Sequence, residues 1–153
     1  MAASSYAPDS SQIADAMTVH LNTWEDKPCD LIFEDMTKEP DSSAMMIQQL
    51  ARAKKKKSYV NGDYIGAWVF AVYIKVDATD SSARLGAINV LNSLGEWMSE
   101  KDSVGRYTNL PSLGDNRAAL SLEMVNSPSL ASKGKNGTDS YQAVFELDYV
   151  YSK

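Results

Sequence analysis

Tyr64 to Val76 reads YIGAWVFAVYIKV, a run of thirteen residues that predicts one unusually long β-strand. Side chains alternate between the two faces of a strand, and here both faces carry bulky apolar groups. One face carries Trp68, Phe70, Val72, Ile74 and Val76, and the other carries Ile65, Ala67, Val69, Ala71 and Tyr73. Such a strand needs cover on both faces, from its own helices on one and from something further on the other. The pattern therefore favours assembly over catalysis.

The composition is that of one ordinary globular domain. The chain has 153 residues, of which 44% are hydrophobic and 23% charged. Residues 1–10 are small and polar and predict a flexible N-terminal arm, which leaves residues 11–153 as a single α+β domain. The net charge of -5 excludes a general attraction to nucleic acid or to an anionic membrane. Cys29 is the only cysteine, so no internal disulfide can form. We expect no signal peptide, no membrane span and no membrane partner.

Spacing and breaker residues predict the elements before the long strand. Apolar residues at helical spacing predict a helix over 11–24, and CDLIFEDM predicts a strand over 29–36. Residues 44–50 fit a short helix or a strand equally well. Asn61-Gly62 predicts a type I′ hairpin turn between a strand that ends at Val60 and the long strand.

Beyond the long strand, a helix is predicted from a cap at Thr79 or Asp80 to about Ser99, because apolar residues recur every three or four positions. The last third of the chain is predicted to contain a strand over 118–126, a flexible polar connection over 127–139 and a strand over 141–151. The sequence thus predicts the α+β class.

Few residues suggest chemistry. His20 is the only histidine, and the nearest acid in sequence is Asp15, so we interpret His20 as a surface or boundary residue. Glu146 and Asp148 share a strand face and either help to bind a divalent cation or form a polar face, and the absence of calcium-loop spacing favours the second interpretation. We expect no enzyme activity, no cofactor and no metal site. A small enzyme that uses His20 or the Glu146/Asp148 pair is the competing hypothesis.

Five cations lie close together before the predicted hairpin, and we expect them on a loop. They are Arg52, Lys54, Lys55, Lys56 and Lys57. This run is either a contact for phosphate or an acidic partner, or a solvated loop. No aromatic residue interleaves with it, which argues against sequence-specific reading of nucleic acid. The expected neighbour is acidic protein or passing DNA.

The segments YVNGDYIG at 59–66 and FAVY at 70–73, followed by a capped helix, resemble the tail terminators of tailed phages. These proteins are often called minor capsid proteins in phages and prophages of Gram-positive bacteria. The resemblance implies a mixed, mostly antiparallel sheet packed by two helices in the order α-β-β-β-β-α-β-β, and it favours a strand at 44–50. It also implies a hexameric ring that ends the finished tail tube, stops its polymerisation and joins it to the head connector.

Partners and location follow from the resemblance. The implied partners are other copies of the chain, the tail tube protein, the head-tail connector or stopper protein, and DNA that passes non-specifically through the lumen. The implied location is the virion tail at the head-tail interface, after assembly in the host cytoplasm. The candidate assembly interface is Tyr64, Trp68, Phe70 and Tyr73. The basic run is the candidate contact for a partner or DNA. A head-completion or connector protein that contacts DNA, and the terminator of a phage-tail-like bacteriocin, are the alternatives.

Overall fold

A mostly antiparallel sheet and two helices make up the computed structural model of the protein, which describes residues 6–33, 44–77, 81–133 and 138–153. The elements are α1 (Ser10–Leu21), β1 (Leu31–Phe33), β2 (Ala44–Gln49), β3 (Lys54–Ser58), β4 (Tyr64–Asp77), α2 (Ser81–Met98), β5 (Arg117–Lys133) and β6 (Thr138–Tyr151). The predicted α+β class, mostly antiparallel sheet and two helices are confirmed.

The long strand β4 lies at the centre of the sheet. The strand order is β1-β2-β4-β6-β5, and β1 and β2 form the parallel pair. β6 pairs antiparallel with β4 along its whole length, from Tyr64 opposite Tyr151 to Asp77 opposite Thr138. Two shorter strands pair with the other edge of β4: β3 lies opposite residues 64–67 and β2 lies opposite residues 70–75. Most backbone groups of β4 therefore face a neighbouring strand on each side, which suits its apolar sequence.

Both helices cover one face of this sheet. Trp68 and Phe70 of β4 pair in register with Leu147 and Phe145 of β6, and all four side chains are buried in one core. A Cβ atom at Gly95 of α2 would lie within 4 Å of Met124 and Phe145, which places this helix directly on the same face. Burial of each large apolar side chain contributes about 1.5 to 3 kcal/mol, so packing between the helices and this face stabilises the fold strongly.

Residues 44–49, which the periodicity left undecided, form the strand β2. Met45 and Ile47 are buried, while Met46 between them is half-buried. The edge of β4 decides this conformation, because it offers a continuous row of backbone partners from Phe70 to Lys75. Tertiary pairing thus decides a segment whose local pattern fits both a helix and a strand.

The hairpin before β4 differs from the prediction. β3 ends at Ser58, and the backbone N–H of Tyr59 donates to the carbonyl oxygen of Asp63 at 2.8 Å. The N–H of Gly62 donates to the carbonyl of Tyr59 at 3.1 Å, and Gly62 has φ 98°. The connection is therefore a three-residue loop with a left-handed glycine, a common alternative to the predicted two-residue type I′ turn.

The predicted flexible connection at 127–139 is also wrong where the structure describes it. β5 continues to Lys133, and β6 begins at Thr138. The polar residues continue the ladder because β5 is the outermost strand, where irregular register and Pro128 are tolerated. Several predictions lie outside the described residues: the arm at 1–5, the strand end at 34–36, the Thr79 or Asp80 cap and the connection at 134–137.

Candidate functional site

Three of the four aromatic residues predicted to form an assembly interface are buried inside the chain. Trp68 and Phe70 are fully buried, and Tyr64 is buried at one end of the sheet. The prediction is wrong for these three because they occupy the face of β4 that the helices cover. Tyr73 points to the opposite face and is half-buried, so it stays a candidate for contact with a partner.

The sheet face opposite the helices, called the open face below, carries the second apolar set of β4. Its side chains are Ile65, Ala67, Val69, Ala71 and Tyr73 of β4, with Val144, Glu146 and Asp148 of β6. Ile65, Ala67, Val69 and Tyr73 are only half-buried, since no described helix packs over them. A half-covered apolar sheet face of this length is typical of an interaction surface.

An ion-pair cluster lies on the open face. Lys56 Nζ is 2.9 Å from Asp148 Oδ2 and 3.5 Å from Glu146 Oε2. A hydrogen bond with Asp148, together with burial, raises the pKa of Glu146, and the hydrogen bond to Asp148 raises the pKa of Lys56. The two carboxylates considered as a catalytic or metal pair are therefore both engaged by a lysine. Within the described ranges, no three His, Cys, Asp or Glu side chains are placed to hold a metal ion.

His20 connects the two helices to the segment that follows α2. Its Nε2–H donates to the carbonyl oxygen of Asn109 at 2.8 Å, and its ring stacks on Trp97 with centroids 5.0 Å apart. Burial lowers the pKa of His20, while the hydrogen bond to Asn109 raises it by less. This arrangement is that of a half-buried packing residue, as the helix position predicted.

The basic run forms a strand rather than the predicted loop. Lys54–Lys57 lie in β3, where a bulge at Lys56 interrupts the pairing with β4. We call β3 together with Arg52 the basic strand. The fold also brings aromatic rings to this strand, which sequence order did not predict. The guanidinium of Arg52 lies 4.9 Å from the ring centre of Tyr6, and Lys57 Nζ lies 5.3 Å from that of Tyr59.

A buried carboxylate cluster at one end of the sheet was missed entirely. Asp9 is 2% exposed and accepts hydrogen bonds from the hydroxyls of Tyr64 at 2.8 Å and Tyr149 at 2.7 Å, and from Arg117 Nε at 2.5 Å. Burial alone raises the pKa of Asp9, but the hydrogen bonds from Tyr149, Arg117 and Tyr64 outweigh it, so the net shift is downward.

This cluster corrects the predicted flexible arm for residues 6 to 9. Ala7 is buried, and its N–H donates to the carbonyl of Ala53 at 2.7 Å. Ser10 Oγ accepts from the N–H of Ala53 at 2.8 Å. Small polar residues before a helix give no local signal of such docking, because every partner is distant in sequence. The segment 6–9 therefore belongs to the folded domain.

Comparison with protein-family models finds no match, and comparison with curated protein sequences finds none either. Neither helix in the described part of the chain is both long and apolar enough to cross a membrane. Functional inference therefore depends on the surfaces described above.

Proposed function

We propose that this chain is a structural, non-catalytic tail terminator that forms a ring on the end of a completed tail tube. The ring stops polymerisation of the tube and joins it to the head connector at the head-tail interface of the virion. The observation that carries this proposal is the open face, where the central strand of 14 residues carries half-buried apolar side chains over which neither described helix packs. The resemblance of segments 59–66 and 70–73 to tail terminators supports the same role.

The size of the open face suits contact with another copy of the chain. At about 3.3 Å per residue, β4 spans about 46 Å, and four strand widths of about 4.8 Å give about 19 Å across the sheet. The resulting area, about 900 Å², is close to the roughly 800 Å² that each partner contributes to a standard interface. In a ring, each subunit presents two different surfaces to its neighbours, so this face would be one of the two.

Size measurement of the purified protein tests the proposal. We expect light scattering to give a mass close to six times the protomer mass of 16.8 kDa. Val69→Glu and Tyr73→Glu should each reduce the mass to that of smaller species, because a buried unpaired carboxylate at the interface is unfavourable. Leu85→Glu, on the exposed surface of α2, is the matched control and should leave the mass unchanged. A wild-type protein that stays monomeric at high concentration and never caps a tail tube would refute the proposal.

A head-completion or connector protein that meets DNA through the basic strand is the second candidate. The observation that favours it is the group of cations on β3, of which only Lys56 is paired with a carboxylate among the described residues. Replacement of Lys54 and Lys57 by glutamate should then impair DNA retention while tail length stays normal. Uncontrolled tail length would instead favour the terminator. The same ring on a bacteriocin tube, which has no head, is a variant of the first proposal.

A further inference from the structure

Among the described residues, most cations of the basic strand have no acidic partner. Arg52, Lys54, Lys55 and Lys57 form no ion pair with any carboxylate in residues 6–33, 44–77, 81–133 or 138–153. The net charge of the chain is -5, but screening limits the reach of distant charges to about 10 Å at 0.1 M salt. A ligand that touches β3 therefore meets a positive surface, whatever the sign of the whole protein.

Tyrosine rings hold these cations in place. Arg52 and Lys54 share the ring of Tyr6, at 4.9 and 6.0 Å from its centre, and Lys57 lies over Tyr59. Tyr6 and Tyr59 are 39% and 43% exposed. A cation held over an aromatic face keeps its charge and loses less side-chain freedom when it binds an anion. The rings thus prepare the strand for an anionic ligand without neutralising it.

The bulge in β3 sets the direction of the lysines. Lys54 and Lys57 pair with Ala67 and Ile65, whose side chains lie on the open face, and Lys56 reaches the same side to contact Asp148. A regular strand would have turned either Lys56 or Lys57 to the other face. Lys54 to Lys57 span about 10 Å at 3.3 Å per residue. Cations spaced in this way, together with Arg52, can reach phosphates of the same DNA segment.

We propose that the basic strand binds the phosphate backbone of duplex DNA without regard to base sequence. Lysine is depleted at the centre of protein interfaces, and four of the five cations here are exposed or half-exposed lysines, which favours DNA over an acidic protein. Lysine and arginine side chains on an exposed strand bind phosphates as point charges, so phosphate contact is the expected mode. This inference rests on the second candidate function, DNA contact through the basic strand, and deepens it by naming duplex phosphates as the ligand. It requires that the β3 end of the open face stays accessible when another copy covers the rest of that face.

Salt-dependent binding of a labelled 25-base-pair duplex, measured by fluorescence anisotropy, tests this proposal. Four phosphate contacts, one each from Arg52, Lys54, Lys55 and Lys57, predict a slope of about -3.6 when the logarithm of the binding constant is plotted against the logarithm of salt concentration. A rise from 50 to 200 mM salt should then weaken binding roughly 150-fold. Two duplexes of unrelated sequence should bind equally well.

A double variant, Lys54→Gln with Lys57→Gln, should halve the slope, so that the same rise in salt weakens binding only about 12-fold. The matched control, Lys101→Gln with Arg106→Gln, removes the same charge from the segment after α2 and should bind like wild type. Unfolding midpoints establish that both variants are folded.

Several results would overturn the proposal. These are no binding to duplex DNA at 50 mM salt, an equal loss of binding in both double variants, or binding of poly-L-glutamate in preference to duplex DNA. The last result would assign the strand to an acidic protein partner. The mass measured by light scattering is independent of this titration, so failure of DNA binding and failure of ring formation can be told apart.

Discussion

Replacement of Asp9 by alanine removes the acceptor at the centre of the buried cluster. Three groups lose their partner at once: the hydroxyls of Tyr64 and Tyr149 and the guanidinium of Arg117. Loss of one partner of a buried pair destabilises a protein by about 3 to 5 kcal/mol, because the remaining charge stays buried without compensation. The Arg117 side chain is 20% exposed, so water solvates it in part.

We therefore expect Asp9→Ala to lower the free energy of unfolding by about 4 kcal/mol. For a chain of 153 residues, this corresponds to a fall in Tm of roughly 8 to 16 °C. Tyr64→Phe is the matched control. It removes one donor of the three and leaves the Asp9 carboxylate paired, so it should cost only about 1.5 kcal/mol.

Urea unfolding monitored by circular dichroism and tryptophan fluorescence measures both variants. Equal slopes with denaturant would establish that the compared states are alike. The reasoning is refuted if Asp9→Ala destabilises the protein by less than 1 kcal/mol, or by no more than Tyr64→Phe. Either outcome would mean that Asp9 is not buried against the two tyrosines and that residues 6 to 9 are a loose arm after all.

Three further predictions use the same measurements. Gly66→Ala should destabilise the protein by about 1 to 3 kcal/mol, because the new Cβ would lie 2.6 Å from Cζ of Tyr149. Gly86→Ala on α2 is the control: its Cβ meets nothing within 4 Å, so the substitution should stabilise the protein by about 0.5 to 1 kcal/mol. The difference in stability between wild type and Asp9→Asn should shrink as pH falls below about 4, because a carboxylate with a lowered pKa contributes stability only while it is ionised. The free energy of unfolding should also fall slightly as pH drops below about 6.5, because the unfolded chain protonates His20 before the folded chain does. His20→Gln should remove this pH dependence. NMR titration of the wild-type ring should give a pKa below 6.5.

The spacing of apolar residues was enough to predict the strands and the helix in which that spacing is regular. The alternation in 64–76 predicted β4, and the strand predicted over 141–151 is β6, which buries Phe145 and Leu147. The helical spacing after Ser81 predicted α2 to within a residue of its end. These predictions hold because side-chain direction in a strand or helix depends only on the period of the backbone.

Long polar segments were misread for the opposite reason. Residues 127–133 contain three serines and one proline but continue an edge strand that pairs with β6, and the basic run pairs with β4. Polar composition is compatible with an exposed edge strand as well as with a loop, so composition does not separate the two. Only the presence of an open neighbouring edge distinguishes them.

What the sequence determined by itself is the α+β class, the central strand and its two apolar faces, because each depends on residues that are neighbours along the chain. The tertiary structure alone decided which of those faces the helices cover. As a result, Trp68 and Phe70 are buried in the core and are not available to a partner. It also decided the surroundings of Asp9, whose partners Tyr64, Arg117 and Tyr149 are 55, 108 and 140 positions away. Contacts at such separations leave no periodic trace in the chain, since they depend on how completed elements pack against one another.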